Sequence, residues 1–240
     1  MKIRLDKMLS HMGYGSRKDV KKIIHDKQVR INGIIINKDD YKVDTDNDDI
    51  LVYDENVNYL EEVYIMLNKP AGVISATFDT RLPTVIDLMP EYRNYKIFPV
   101  GRLDNDSVGL LLLTNNGKLA YNLLSPKSHV DKDYDVIFEG FFKDESIKMF
   151  NDGIILEDGY KTLPSKVRII SDNEAIITIH EGKFHQVKRM FAALNMKVIK
   201  LKRIRFGNLS LDKNLKEGEY RLLNEKEIAC LKDYGKENIS

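Results

Sequence analysis

The first 35 residues carry apolar positions at helical spacing and then at strand spacing. Two short helices are predicted, separated by Gly13 and Gly15, with Ser16 as a suitable N-cap for the second. Val29 and Ile31 then alternate with polar residues up to an Asn-Gly pair, which is typical of a tight hairpin turn. The apolar positions of the two helices are Leu5, Met8, Leu9, Met12, Val20, Ile23 and Ile24.

The uninterrupted apolar run Leu110–Leu113 predicts a buried strand in the middle of the chain. A polar loop bracketed by Gly101 and Gly109 precedes it and contains two aspartates, Asp104 and Asp106. Loops fixed to rigid strands are common places for binding and catalytic residues. This loop is therefore the first place to look for chemistry.

From residue 63 onward, short strands are mixed with scattered helices, which indicates an α+β fold with a mixed, mainly antiparallel sheet rather than regular βαβ alternation. The predicted strands are 64–67, 73–76, 110–113, 134–138, 166–170, 175–179, 198–201, 206–209 and 220–222. The predicted helices are 117–124, 145–151 and 184–194. We expect a small domain over residues 1–56, an acidic linker over 57–62 and a larger domain over 63–240.

The formal net charge of +1 conceals an uneven distribution. Residues 1–30 contain nine Lys or Arg against three Asp, and residues 183–205 contain eight Lys or Arg with no acid. Residues 39–62 contain ten acids and one lysine. Clustered cations are typical of proteins that bind polyanions, and a compact basic module favours nucleic-acid binding over an ordinary solvated surface. The candidate contacts are Arg4, Lys7, Arg17, Lys18, Lys21, Lys22 and Arg30.

Composition restricts the protein class. The single cysteine, Cys230, cannot form an intramolecular disulfide or a multi-cysteine zinc site. No apolar run approaches the roughly 18 residues of a membrane span, and no secretory signal is evident. We therefore expect a cytoplasmic protein that has no membrane partner, binds no metal and contains no disulfide.

Candidate catalytic groups are few, because the P-loop, dinucleotide-binding, nucleophile-elbow and zinc-helix motifs are all missing from the sequence. The five histidines show no metal-ligand pattern and are interpreted as surface or structural residues. Spacing alone favours a turn-capping role for Asp104, and it gives no strong reason for Asp106 to share a cleft with it. A hydrolase using both carboxylates stays an alternative.

Two further groups have alternative interpretations. Lys183, Lys188 and Arg189 flank a predicted helix start, where cations attract phosphate, although they also fit a helix with a basic outer face. Tyr134 fits a half-buried strand aromatic or a platform for a nucleobase.

Residues 1–52 resemble the alpha-L RNA-binding motif, which binds structured RNA by shape and phosphate contacts. Over essentially its whole length, the chain resembles pseudouridine synthases of the RsuA family, which act on small-subunit (16S) ribosomal RNA. The matching segments are 4–9, 16–17, 29–33, 66–70, 101–104, 109–117, 132–136 and 181–193. One departure is Ser107, which stands where the family has threonine.

The resemblance implies an enzyme that isomerises uridine without metal or cofactor, in a central cleft, with Asp104 as the nucleophile. It implies Lys188, or else Arg189, as the basic partner of Asp104, while Asp106 has no part in the mechanism. Tyr134 would stack on the base, and Leu201 would complete the apolar wall of the pocket. Arg102, Lys183 and Arg189 would hold the RNA.

The implied partner is ribosomal RNA within a small-subunit assembly intermediate, bound by a monomer. Two other functions stay open: a large-subunit synthase of the same family and a non-catalytic RNA-binding ribosome-assembly protein.

Overall fold

A computed structural model of the protein describes residues 2–57 and 59–237 and divides into two compact units. The first unit comprises the chain up to Val63 together with Glu91–Ile97, and the second comprises Tyr64–Pro90 and the chain from Phe98 onward. The chain therefore passes between the units three times. None of the described helices is long and apolar enough to cross a membrane.

The first unit contains two helices and two small antiparallel sheets. Its elements are β1 (Lys2–Arg4), α1 (Leu5–His11), α2 (Arg17–His25), β2 (Val29–Ile31), β3 (Ile34–Ile35), β4 (Lys42–Asp44), β5 (Ile50–Val52) and β6 (Glu55–Asn56). Strand β1 pairs with β4, and the other sheet has the order β3-β2-β5-β6. The apolar helix positions predicted from spacing pack against the strands in one core, so the helix–helix–strand prediction is confirmed.

The predicted N-cap of α2 is present. The backbone N–H of Asp19 donates to Ser16 Oγ at 3.3 Å, and the Asp19 carboxylate accepts from the Ser16 backbone N–H at 3.0 Å. This reciprocal capping box satisfies two backbone donors that a helix start leaves unpaired.

The segment Glu91–Ile97, most of it a 3-10 helix over Pro90–Tyr95, packs in the first unit although it is distant in sequence. The Tyr95 hydroxyl donates to the Met12 sulfur at 3.1 Å, and the Tyr95 ring meets the His11 ring edge-on at 5.7 Å. The first unit therefore combines the chain up to Val63 with a segment, Glu91–Ile97, that is not contiguous with it in the sequence.

The second unit is built on one large mixed sheet. Its elements are β7 (Tyr64–Lys69), β8 (Phe98–Pro99), β9 (Val108–Thr114), α3 (Gly117–Leu124), β10 (Lys132–Glu139), α4 (Asp144–Asp152), β11 (Lys166–Ser171), β12 (Glu174–Ile179), α5 (Gln186–Ala192), β13 (Lys197–Phe206), β14 (Leu209–Ser210), β15 (Tyr220–Leu222) and α6 (Glu225–Glu237). The strand order is β11-β12-β10-β13-β9-β7-β15, and only the β13–β9 pairing is parallel among the strand pairs of residues 59–237.

Strands β7 and β9 are interior neighbours in this sheet, and every residue of both is buried. Alternate residues such as Met66 and Leu112 pack against α3 and α6 in one core, and the intervening residues are buried on the opposite face. A strand covered on both faces reads as a continuous apolar run, which explains the sequence of Leu110–Leu113.

Four local predictions are wrong. Residues 73–76 form no strand and make only an isolated bridge between Ile74 and Thr84. The strand predicted over 198–201 is only part of β13, which runs unbroken over ten residues. Pairing with both β10 and β9 accommodates the charged positions of this longer strand. Helix α5 begins at Gln186 rather than at 184, since His185 has a left-handed backbone (φ 48°). No element is predicted after residue 222, whereas Glu225–Glu237 form helix α6, with Leu231 buried against the sheet.

Candidate active site

Asp104 lies in the loop between β8 and β9, and the side chain of Lys69 holds this loop from inside. Lys69 is fully buried at the end of β7. Its ammonium donates to the carbonyl oxygens of Asp104 at 3.0 Å, Asn105 at 3.4 Å, Ser107 at 2.9 Å and Pro70 at 3.0 Å. Burial lowers the pKa of Lys69 to about 8, although the Asp106 and Asp104 carboxylates oppose this shift.

Lys188, from the first turn of α5, joins the two loop carboxylates. Its Nζ lies 3.5 Å from Asp104 Oδ2 and 2.5 Å from Asp106 Oδ1. The hydrogen bond from Lys188 holds the pKa of the Asp106 carboxyl below its usual range. Asp106 therefore contacts the site through Lys188 without belonging to the described cleft lining, and its absence from the mechanism stays a prediction.

Arg189, the alternative basic partner, points to other carboxylates. Its guanidinium lies 2.5 Å from Asp158 and 3.6 Å from Glu157. Arg189 is also absent from the described lining of the Asp104 cleft. The geometry thus places Lys188, and not Arg189, beside Asp104, and the role of Arg189 in RNA binding stays a prediction.

His185 is the functional-site residue that sequence reasoning missed. Its Nε2 lies 3.7 Å from Asp104 Oδ1, so the Asp104 carboxylate is flanked by His185 on one oxygen and Lys188 on the other. The left-handed backbone of His185 turns its side chain into the cleft just before α5 begins. The available signal was its place inside the segment 181–190, between Lys183 and Lys188.

The cleft above Asp104 is walled by Tyr134 from β10 and Leu201 from β13, both buried. In the β10–β13 ladder Tyr134 pairs with Arg203 and Val136 pairs with Leu201, so Tyr134 and Leu201 are diagonal neighbours on one sheet face. The cleft is open to solvent, and its cavity volume of about 70 Å³ is well below the roughly 300 to 1,000 Å³ of sites that enclose a drug-sized ligand. Its rim and floor also include Arg102, Leu103, Ser107, Ile179, Gly182, Lys183, Gln186 and Val187.

A carboxylate-centred network fixes the segment that leads into α5. Glu181 accepts hydrogen bonds from the Tyr160 hydroxyl at 2.7 Å, the Gln186 side-chain amide at 2.7 Å and the Leu163 backbone N–H at 2.9 Å. Gln186 in turn accepts from the Lys183 backbone N–H at 2.9 Å. We call these contacts the Glu181 network, and they hold residues 181–186 at both ends.

The basic residues predicted to bind RNA in the first unit form two groups. Arg4, Lys21 and Arg30 pair with Asp6, Asp39 and Asp54 at 3.0, 2.7 and 3.2 Å. The second group has no ion pair among the residues that the structure describes, and its side chains are exposed: Lys7, Arg17, Lys18 and Lys22. The second group is the more available for phosphate, since its charges are not already neutralised.

Comparison with known proteins agrees with this geometry. A family model described as RNA pseudouridylate synthase matches residues 63–193, and an S4 domain matches residues 3–50. The chain belongs to the RNA pseudouridylate synthase family. The predicted α+β fold, with an RNA-binding N-terminal domain before a mixed sheet, is thereby confirmed, as is the prediction of an isomerase.

The similar proteins cover the whole chain. An "uncharacterized RNA pseudouridine synthase" of Bacillus subtilis is 46% identical, covering 96% of this chain and 99% of its own. Ribosomal small subunit pseudouridine synthase A of Yersinia pestis is 38% identical (95% and 98% covered), and ribosomal large subunit pseudouridine synthase B of Bacillus subtilis is 39% identical (97% and 98%). A crystal structure of a pseudouridylate synthase superposes with a TM-score of 0.68 at 37% identity, covering 95% and 99%.

Proposed function

We propose that this RNA pseudouridine synthase modifies a uridine of small-subunit ribosomal RNA, with Asp104 as its nucleophile. The observation that carries the nucleophile is the position of the Asp104 carboxylate, which is 28% exposed and 3.5 Å from the Lys188 ammonium in the cleft. Ribosomal RNA is supported by the similar small-subunit and large-subunit synthases. Sequence identity does not separate these two, and the small subunit is favoured by the resemblance of segments 66–69 and 185–189.

The proposed reaction is an isomerisation, so atoms and electrons balance without a co-reactant. The glycosidic bond between N1 of uracil and C1′ of ribose breaks, the base rotates, and a bond forms between C5 and C1′. The hydrogen of C5 is lost as a proton, and N1 gains one. An ionised carboxylate catalyses this exchange covalently by attacking either C1′ of the ribose or C6 of the base.

The side chains around Asp104 fit the separate needs of that reaction. The Lys188 ammonium lies 3.5 Å from the Asp104 carboxylate and attracts it electrostatically. Tyr134 and Leu201 line the cleft and are buried. The proposed role of the Tyr134 ring is to stack on the extruded uracil, that of its hydroxyl is to assist removal of the C5 proton, and that of Leu201 is to close the apolar wall. Arg102 and Lys183 line the same cleft and supply cations for the flanking phosphates.

Replacing Asp104 with asparagine tests the nucleophile. Tritium at C5 of uridine is released when pseudouridine forms, so release from [5-³H]uridine-labelled ribosomal RNA measures turnover. We expect Asp104→Asn to abolish release while RNA affinity stays within about threefold, because only the reacting oxygen changes. Asp172→Asn, in the exposed turn between β11 and β12, is the matched control. Release by Asp104→Asn at the wild-type rate would refute the mechanism.

The exposed, unpaired cations of the first unit are proposed to bind RNA phosphates. We expect the double variant Lys18→Glu, Lys22→Glu to weaken RNA binding by at least tenfold and to flatten the dependence of log affinity on log salt, because fewer counterions are released. Lys148→Glu, on an exposed position of α4, is the single-charge control. An unchanged salt dependence in the double variant would exclude α2 from the RNA interface.

Mapping pseudouridine in ribosomal RNA from cells with and without the gene identifies the substrate. Loss of one pseudouridine from 16S RNA is the expected result, and loss from 23S RNA would replace the small-subunit proposal with the large-subunit one. Incubating the protein with naked 16S RNA and with assembling particles then distinguishes free RNA from an assembly intermediate as the substrate. A map that is identical in both strains would favour a non-catalytic RNA-binding role.

A further inference from the structure

We propose that the exposed ring of Phe184 is a stacking platform for the nucleobase adjacent to the target uridine. The proposal rests on the Asp104 cleft being the uridine site, and it is independent of which ribosomal subunit supplies the RNA. It adds a second base-binding position, outside the cleft, to the one that holds the reacting uracil.

The Phe184 ring has one covered face and one open face. It is 74% exposed, and it stacks on the His185 ring with centroids 3.8 Å apart and planes 19° apart. His185 in turn has its Nε2 3.7 Å from the Asp104 carboxylate. Phe184 itself does not line the described cleft, but its chain neighbours Lys183 and His185 both do, and its ring stacks on His185. The open face of Phe184 therefore lies beside the cleft entrance.

The backbone around Phe184 is fixed before any RNA arrives. The Glu181 network anchors the chain one residue before the ring, through the Lys183 backbone, and two residues after it, through Gln186. The Lys183 ammonium also lies 4.8 Å from the centroid of the Tyr160 ring, a cation–π contact. A rigid platform loses little conformational entropy on binding, so stacking on it yields more net affinity than stacking on a mobile loop.

The chemistry of the rim points to a base rather than to another ligand. An exposed aromatic ring interleaved with cations is the usual arrangement for single-stranded nucleic acid, where bases stack on the ring and phosphates pair with the cations. Lys183 directly precedes Phe184, and Arg102 lines the adjoining cleft. Because uracil must itself reach Asp104, the base on Phe184 belongs to a neighbouring nucleotide. Purines should be preferred there, since they offer more stacking surface.

The first experiment measures initial rates of tritium release for four proteins on [5-³H]uridine-labelled total ribosomal RNA from cells lacking the gene. Phe184→Ala is expected to raise KM about tenfold or more with kcat within about threefold, and Phe184→Trp is expected to keep the wild-type KM. Phe141→Ala is the control, because Phe141 is 84% exposed in the same unit and does not line the cleft. A wild-type KM in Phe184→Ala would overturn the proposal.

The second experiment separates stacking on RNA from an effect transmitted through His185. Two versions of the modified RNA segment are synthesised, one with an abasic nucleotide directly before the target uridine and one with an abasic nucleotide directly after it. Each of these two RNAs is assayed with the wild-type protein and with Phe184→Ala. A direct stack predicts that one abasic position raises KM for wild type about as much as Phe184→Ala does, with no further rise when both changes are combined. An undiminished effect of Phe184→Ala on both abasic RNAs would refute the platform. Asp104→Asn tests the proposed mechanism separately, because wild-type tritium release by that variant would refute the mechanism whatever the result for Phe184→Ala.

Discussion

The buried ammonium of Lys69 is predicted to be essential for activity without contacting the substrate. Replacing it with methionine removes the donor that four carbonyl oxygens share, three of them in the loop that carries Asp104. Methionine keeps an unbranched side chain of similar length, so the change removes the charge and the donors but little of the packing. The loop then loses its internal anchor, and Asp104 loses its fixed position relative to Lys188.

The magnitude follows from two opposing effects. The carbonyl oxygens of Asp104 and Asn105 also accept from the backbone N–H groups of Ser107 and Gly72, so they keep a donor in Lys69→Met. The carbonyl oxygens of Pro70 and Ser107 each lose the ammonium at a cost of about 1 to 3 kcal/mol, which is about 4 kcal/mol together. Against this, a pKa of about 8 instead of 10.5 means that burial penalises the Lys69 charge by about 3 kcal/mol, which the substitution recovers. Lys69→Met should therefore lower the free energy of unfolding by about 1 kcal/mol or more and reduce kcat about 100-fold, because small misplacements of a nucleophile are costly.

Lys132 supplies the matched comparison for stability. Burial also lowers its pKa to about 8, but its ammonium donates to a single carbonyl, that of Val130 at 2.8 Å. The same arithmetic gives Lys132→Met a cost of about 1 to 3 kcal/mol against a gain of about 3 kcal/mol, hence no net loss. Urea unfolding and tritium release are the assays. A Lys69→Met variant with wild-type kcat, or one more stable than Lys132→Met, would refute this reasoning.

Three further outcomes are expected. The folded pKa of Lys69 lies below its unfolded value, so its contribution to stability should rise as pH increases from about 8 to 10.5, and this part of the rise should disappear in Lys69→Met. Burial would raise the pKa of Asp133, but the hydrogen bond from Arg205, at 2.5 Å, lowers it overall. Asp133→Asn should therefore cost about 2 kcal/mol at pH 7 and progressively less as the pH falls below about 3.8, measured by urea midpoints. Gly109→Ala places a Cβ 2.3 Å from the Arg203 carbonyl oxygen, whereas Gly159→Ala, at a similar positive φ, meets nothing, so only Gly109→Ala should lower Tm by more than about 10 °C.

Elements defined by local pattern could be predicted from the sequence. The run Leu110–Leu113, the helix at Gly117–Leu124 and the cap at Ser16 each depend on neighbouring residues, and the structure has all three. The left-handed backbone of His185 could not be read in the same way, because the pattern of apolar positions continues smoothly across it. The sequence pattern therefore predicts the start of helix α5 at residue 184, two residues before its observed start at Gln186.

The site itself depends on contacts between distant parts of the chain. Lys188 and Asp106 are 82 positions apart, and Lys69 reaches carbonyl groups 35 to 38 positions later. Neither the burial of Lys69 nor the ion pair of Asp106 leaves a periodic signal, since a lysine before a proline and an aspartate in a loop are ordinary surface residues. Assigning Lys188 rather than Arg189 to Asp104 likewise required the direction in which each side chain leaves α5.

The packing of Glu91–Ile97 in the first unit has a consequence for synthesis and for dissection of the protein. Tyr95 is only 8% exposed, and it contacts Met12 and His11. During translation the first unit cannot complete its fold when Val63 emerges from the ribosome, because its segment Glu91–Ile97 is synthesised only after strand β7 of the second unit. A deletion of residues 1–63 would likewise strip Tyr95 of these partners, so the two units are not interchangeable modules, and substitutions on α2 are the sounder way to remove RNA binding.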